Sequence, residues 1–219
     1  MIVFPIINEY ASNYLFVIET FFPLLLVISV YVISANRQLL TIALLFALLT
    51  ISVIGFNYFI HSPELLNFSL LLSIIFFGLT TVTLIIHVLS YKKVSADKIY
   101  GAICGYLLMG IVWALIYTLI EHKLPGSFHA SHIIAASNSS LAHPRYLNQF
   151  IYFSFTTLTT LGYGDITPIT SISRAFTSLE AVAGQLYIAV LIARLVGLHI
   201  SHQALQSYGR LSEWREPDV

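Results

Sequence analysis

"TTLTTLGYGDITP", residues 156–168, is a polar stretch with two glycines in a chain that is otherwise mostly apolar. An apolar stretch of only ten residues, 146–155, precedes it, and a long apolar run follows it. Within hydrocarbon, irregular backbone is tolerated only where protein buries it or where it lines a water-filled path. The stretch is therefore expected to be enclosed by protein or to line such a path.

The composition is that of a polytopic membrane protein. Of 219 residues, 58% are hydrophobic and 9% are charged, and the mean hydropathy is +0.85, whereas about 25% of residues are charged in soluble domains. The net charge of zero gives no indication of a nucleic-acid partner. A single cysteine, Cys104, excludes an internal disulfide, and no nucleophile, base or metal set has a recognisable spacing. We therefore expect neither an enzyme nor a bound cofactor.

Five apolar runs are long enough to cross a bilayer, which takes about 20 residues: 13–34, 38–60, 65–90, 98–120 and 174–200. Residues 1–12 contain no Lys or Arg, so the first run is interpreted as a retained span and not as a signal peptide. The stretch 146–155 is too short to span and is interpreted as a re-entrant helix. The predicted fold is an all-α membrane protein of about five transmembrane helices and one re-entrant helix.

The distribution of Lys and Arg in short loops predicts the orientation, because cytoplasmic loops carry an excess of both. The loops after the first, third and fifth runs share one side and contain Arg37, Lys92, Lys93, Lys98, Arg210 and Arg215. Lys123, Arg145 and Arg174 lie on the other side and weaken this bias without reversing it. The carboxyl terminus is therefore predicted to be cytoplasmic and the amino terminus to lie outside. The protein is predicted to reside in the plasma membrane.

The segment "TTLGYGD", residues 159–165, resembles the selectivity filter of potassium channels with one pore loop per chain, of the small bacterial type. Leu161 stands where the commonest version has Val. Consecutive carbonyls line a narrow path only if the backbone alternates in handedness, and Gly162 and Gly164 suit the left-handed positions. The resemblance implies that the filter, Thr160 to Gly164, binds K⁺ through the carbonyls of Thr160, Leu161, Gly162 and Tyr163, with the Thr160 hydroxyl at the inner end.

One loop cannot encircle an ion, so the resemblance implies a homotetramer closed by rotation. Its partners would be further copies of the chain, membrane lipids and the permeant K⁺. Leu161 and Tyr163 are expected to point back into the protein and to hold the ring at its width.

Support for the filter is expected from the preceding helix. Tyr152 and Phe153 occupy positions where many potassium channels carry two tryptophans that brace the filter. Asp165 is placed to hydrogen-bond the Tyr152 hydroxyl. Thr156 stands where some bacterial members have a glutamate behind the filter, so glutamate-dependent inactivation is not expected.

Two features of the last run are candidates for gating. Gly184 lies where potassium channels often have a hinge glycine, although close packing would explain it equally well. Ile188, Ile192 and Val196 recur every four residues and would line the pore as a gate that closes by dewetting. The alternative is that these three pack against the outer helix.

The resemblance divides the chain into three parts. Residues 1–95 are predicted to form three accessory helices without the arginine series of a voltage sensor, and residues 96–200 the pore domain. Residues 201–219 form a short cytoplasmic tail. The stripe of Leu205, Tyr208 and Leu211 predicts either a helical extension or a frayed end.

The sequence supports a potassium-selective channel over two alternatives and leaves a third open. A weakly selective cation channel would usually lose the filter tyrosine or the second glycine. A transporter of the potassium-uptake superfamily would need four loops in one chain. A silent or regulatory pore subunit remains an alternative that only a measurement of current addresses.

Ionisable residues also occur outside the filter, in the last apolar run and in the predicted outer loop. Glu180, in the outer half of the last run, is expected to find a partner within the pore structure. Four histidines in the predicted outer loop suit solvated side chains better than a metal site: His122, His129, His132 and His143.

Overall fold

The computed structural model describes residues 48–49, 52–53, 63–90, 96–130 and 142–213. Within these ranges the longer elements are four helices and two three-residue strands. In chain order they are α1 (Pro63–Ser90), α2 (Ala96–Lys123), β1 (Phe128–Ala130), α3 (Ala142–Leu158), β2 (Ile166–Pro168) and α4 (Ser171–Glu213).

Three of these helices are long and apolar enough to cross a membrane, over Glu64–Ser90, Ile99–Lys123 and Ser171–Gly197. They coincide with the predicted runs 65–90, 98–120 and 174–200, so the chain is a helical membrane protein. The predicted runs 13–34 and 38–60 lie outside the described residues, apart from the helical pairs 48–49 and 52–53.

The helix α3 is longer than the predicted stretch 146–155 but remains too short to span. Its 17 residues extend about 25 Å, less than the hydrocarbon thickness of about 30 Å.

The helix α4 has 43 residues and continues past residue 200 to Glu213, which confirms the helical extension, one of the two alternatives predicted for this segment. It begins where the Thr170 hydroxyl accepts a hydrogen bond from the Ser173 amide at 3.3 Å, which satisfies a free amide of the first turn. The backbone of residues 201–213 is helical and continuous with the preceding part of α4.

The helix α1 begins at Pro63. Proline is common in the first helical turn, because its missing amide would be unpaired there and its φ already suits a helix.

Packing in the described part of the chain centres on α2. Its contacts with α1 bury an apolar cluster of five residues, Leu70, Phe76, Phe77, Ile111 and Leu115. Its contacts with α3 bury a second cluster, which includes the aromatic rings of Tyr117, Phe128, Phe150 and Phe153. The short helix α3 is thus held against α2 by a core of large side chains.

The strands β1 and β2 form an antiparallel pair that the all-α prediction did not include. His129 lies opposite Thr167, and Ala130 lies opposite Ile166. Next to the pair, the Ile169 amide and the Ser173 hydroxyl both donate to the Ser127 carbonyl, at 2.8 and 2.9 Å. These bonds attach the loop after α2 to the segment that leaves the 159–165 stretch.

Candidate functional site

The backbone of the 159–165 stretch alternates in handedness. The φ angle is positive at Thr160 (60°), Gly162 (51°) and Gly164 (80°), and Leu161 and Tyr163 are not among the residues of positive φ. This confirms the left-handed conformation expected at both glycines. The same conformation at Thr160 was not expected, because a side chain there costs about 1–2 kcal/mol.

The side chains of this stretch are not covered by the described part of their own chain. Leu161 is 54% exposed and Tyr163 is 67% exposed. The expectation that both point back into the protein is therefore not met within one chain. Among the described residues, the Tyr163 ring stacks in parallel on Tyr152, with 6.4 Å between ring centroids and 6° between planes.

Backbone hydrogen bonds join the stretch to α3. The Leu161 and Gly162 amides both donate to the Thr156 carbonyl, at 2.8 and 3.0 Å. The Thr156 hydroxyl itself donates to the Phe153 carbonyl at 2.9 Å, within the same helix. Thr156 therefore contacts the stretch through its backbone, and its side chain stays in the helix.

The Tyr152 hydroxyl interacts with the Asp165 carboxylate. Desolvation, followed by a hydrogen bond to Asp165 and the negative charge of that carboxylate, raises the pKa of Tyr152 to about 12. Its neighbour Phe153 points the opposite way and packs edge-on against Tyr117 and Phe128, with ring centroids 5.3 and 5.5 Å apart. Of the two residues at tryptophan positions, only Tyr152 contacts the stretch.

Gly184 allows α4 to approach the end of α3. A Cβ atom at this position would lie 2.8 Å from the Leu158 carbonyl oxygen and 3.1 Å from Leu158 Cγ. These distances account for the glycine by close packing. Further along the same helix, Ile188 is half-buried, whereas Ile192 and Val196 are exposed in the single chain.

A buried polar group joins all three helices of this region. Glu180 of α4 is 0% exposed, and its carboxyl group contacts the hydroxyls of Tyr117 (2.5 Å) and Ser154. The Ser154 hydroxyl also lies 2.7 Å from the Gly110 carbonyl oxygen. The sequence indicated a partner for Glu180 but did not identify Tyr117, Ser154 or Gly110.

Two further tyrosines, one on α2 and one on α4, form hydrogen bonds between helices. The Tyr106 hydroxyl of α2 donates to the Leu158 carbonyl at 3.0 Å, and the Tyr187 hydroxyl of α4 donates to the Ala102 carbonyl at 2.6 Å. The two rings stack with centroids 5.8 Å apart. The sequence of α2 contains a pattern that could have indicated these hydrogen bonds. Tyr106, Gly110 and Tyr117 recur there at helical spacing within an apolar run.

Among the residues that the structure describes, no group of three or more His, Cys, Asp or Glu side chains has a metal-binding arrangement. His122 and His129 are exposed. The side chains of His132 and His143 lie outside the described part.

A half-length helix, a loop whose left-handed residues alternate, and a following membrane-spanning helix define a pore-loop membrane protein. Residues 105–199 match the model of a family described as "Ion channel". The chain belongs to this ion channel family and is not an enzyme.

Two curated relatives carry the name "Protein LctB". The one from Bacillus caldotenax is 29% identical over 111 residues, covering 51% of this chain and 79% of the relative. The one from Geobacillus stearothermophilus is 31% identical over 106 residues, covering 48% and 74%. No solved structure matches the chain.

Proposed function

We propose that the chain forms a potassium-selective channel that conducts K⁺ passively through a homotetrameric pore. The observation that carries this proposal is the positive φ at Thr160, Gly162 and Gly164 within the sequence TTLGYGD. In such a backbone, consecutive carbonyls are able to face one axis. Rings of carbonyl oxygens replace the hydration shell of K⁺ in potassium-selective filters.

In this proposal the ion sites are formed by the carbonyl oxygens of Thr160, Leu161, Gly162 and Tyr163, with the Thr160 hydroxyl at the inner end. Gly164 allows the chain to leave the filter. The filter is supported from behind by the Thr156 carbonyl, which accepts two filter amides. It is supported from outside by Tyr152 and Asp165.

The exposed faces of the single chain support assembly into a ring. Leu161 and Tyr163 extend from the filter without cover. The helix α4 leaves a row of large apolar side chains exposed: Leu179, Val182, Leu186, Val190, Ile192, Val196 and Ile200. We propose that neighbouring copies and lipid cover these surfaces, and that four copies close the ring because the filter needs four equivalent loops.

Below the filter, we propose that Ile188, Ile192 and Val196 line the pore and close it by dewetting. The exposure of Ile192 and Val196 supports this role, because neither is covered by α2 in the single chain. Gly184 is proposed to bend the helix in addition to packing against Leu158.

The remaining parts keep the assignments made from the sequence. Residues 1–95 are proposed to form three accessory helices, residues 96–200 the pore domain and residues 201–219 a cytoplasmic tail. The chain would lie in the plasma membrane with its carboxyl terminus inside and its amino terminus outside.

The test is the reversal potential of the purified protein in a planar bilayer, with KCl on one side and NaCl on the other. The wild-type protein is expected to reverse near the K⁺ equilibrium potential. Gly162→Ala should abolish this selectivity, because Ala at a φ of 51° costs about 1–2 kcal/mol in each chain.

Gly126→Ala is the matched control. Gly126 also has a positive φ, of 84°, and open space around its Cβ position, but it lies in the loop after α2. The control should keep its selectivity. A wild-type reversal near zero would replace the proposal with a weakly selective cation channel, and absence of current would favour a silent or regulatory subunit.

A further inference from the structure

The hydrogen-bond network around Glu180 contains more contacts than its two hydroxyl groups have protons to supply. Three oxygen pairs are in contact: Tyr117 with Glu180, Ser154 with Glu180, and Ser154 with the Gly110 carbonyl. Each pair needs one proton between its oxygens. The Tyr117 and Ser154 hydroxyls supply one each, and the Gly110 carbonyl supplies none. One contact therefore lacks a proton if the carboxyl group is ionised.

We propose that Glu180 is a protonated, neutral carboxylic acid and that in this form it is a positioning residue for the ion filter. The proton lies on Oε1 and is donated to Ser154 Oγ, which donates its own proton to the Gly110 carbonyl. Oε2 accepts the Tyr117 hydroxyl. All three contacts are then hydrogen bonds, and the order of donors is fixed.

The surroundings of Glu180 favour the neutral form. The side chain has no exposed surface, and its two recorded hydrogen-bond partners are hydroxyl groups. An ionised carboxylate is costly to bury without a compensating charge. The titratable groups that face it are Tyr117 and Tyr106 of α2, and the group that contacts it from α3 is the hydroxyl of Ser154.

The hydrogen bonds form a closed circuit through three helices. Glu180 of α4 donates to Ser154 of α3, Ser154 donates to α2, and Tyr117 of α2 donates back to Glu180. Ser154 precedes Thr156 by two residues, and the Thr156 carbonyl accepts the Leu161 and Gly162 amides. A displacement of Ser154 is thereby passed to the filter backbone, so this role rests on the proposed filter function.

The proton is tested by infrared spectroscopy of the full-length protein in lipid. The carbonyl stretch of a protonated carboxylic acid should be present at neutral pH, should disappear in Glu180→Gln and should persist in Glu64→Gln. Glu64 is the matched control because it is an exposed glutamate at the start of α1. Tyr117→Phe should shift the band upward, because the carbonyl oxygen loses a hydrogen bond. A neutral-pH spectrum without a band sensitive to Glu180→Gln would overturn the assignment.

The positioning role is tested by hydrogen exchange at the Leu161 and Gly162 amides. Gln reproduces the donor and acceptor of the neutral acid, so Glu180→Gln should leave exchange within about twofold of wild type. Glu180→Leu leaves buried hydroxyls unpaired and should accelerate exchange by roughly tenfold or more. Equal exchange in the two variants would overturn the role.

The current provides a second measurement that separates the two proposals. Raising the pH should reduce the wild-type K⁺ current as Glu180 loses its proton, while Glu180→Gln stays constant and Tyr106→Phe behaves as wild type. The same decline in Glu180→Gln would contradict the role. If no variant carries current but the infrared and exchange results hold, the function proposed above fails and the neutral acid stands.

Discussion

Thr160 is the residue of the filter stretch that the glycine pattern does not explain. It is the only non-glycine residue with a positive φ in the described part of the chain. Its hydroxyl donates to the Thr159 carbonyl at 2.6 Å, a local bond of the kind that threonine side chains offer to irregular backbone. A glycine in the sequence indicates a position where the backbone can be left-handed. A threonine does not, so the positive φ at Thr160 could not be predicted from the sequence.

Tyr152 provides a prediction at the scale of a single side chain. Desolvation, and after it the interaction with Asp165, raises its pKa from 10.0 to about 12. The neutral tyrosine therefore contributes stability that is fully present below the unfolded value and is lost as the pH rises toward 12. A spectrophotometric titration of tyrosinate, taken as wild type minus Tyr152→Phe, should have its midpoint near 12. Asp165→Asn should lower that midpoint by removing the charge that opposes ionisation. An unshifted midpoint in both proteins would contradict the contact.

At the scale of elements, the length and apolarity of the sequence predicted the described membrane-spanning helices. The sequence did not predict the side-chain contacts between helices, because these join residues that are distant in the chain. The Tyr117–Glu180 and Ser154–Gly110 contacts join residues separated by 63 and 44 positions, and no local pattern specifies such pairs. The strands β1 and β2 have three residues each, below the four to eight over which alternation indicates a strand.

Gly184 provides a prediction about the contact between two helices. Gly184→Ala should force α4 away from α3, because the added Cβ would lie 2.8 Å from the Leu158 carbonyl oxygen. Overpacking of this kind costs about 1–3 kcal/mol, and a lower midpoint of thermal unfolding in detergent should report it.

Gly197→Ala is the control for this experiment. It lies in the same helix, and nothing within 4 Å surrounds its Cβ position. Ala is the better helix former by about 1 kcal/mol, so this variant should unfold at an equal or higher temperature. Equal destabilisation of the two variants would show that the contact with Leu158 is not the cause.

At the scale of the whole molecule, the single chain leaves a large apolar surface uncovered. Leu161, Tyr163 and much of α4 are exposed within the described part of the chain. This exposure agrees with the prediction that a chain with one loop needs further copies to form a ring. What the sequence could not specify is where α4 ends. The apolar run stops near residue 200, whereas the helix continues to Glu213.

The number of chains in the pore gives a prediction that does not depend on structure determination. Mass measurement in detergent should find four chains of 24.5 kDa each. If Gly162→Ala and wild-type chains are co-expressed equally and one variant chain disrupts a filter, K⁺-selective current should fall to about one sixteenth. A fall to about one half would indicate that each chain conducts alone.

The hydrogen bonds between helices described above affect which amino-acid substitutions this sequence can accept during evolution. Tyr106, Ser154 and Tyr187 each lie within hydrogen-bonding distance of a main-chain carbonyl, at Leu158, Gly110 and Ala102. A main-chain carbonyl is present whatever side chain its residue carries. The hydrogen bond therefore does not restrict the identity of the accepting residue, except that its side chain must fit the space available. Related sequences are therefore expected to exchange Leu158 and Ala102 freely among residues that fit, without correlated change at the tyrosines. Contact-prediction methods that rely on paired substitutions would miss these attachments.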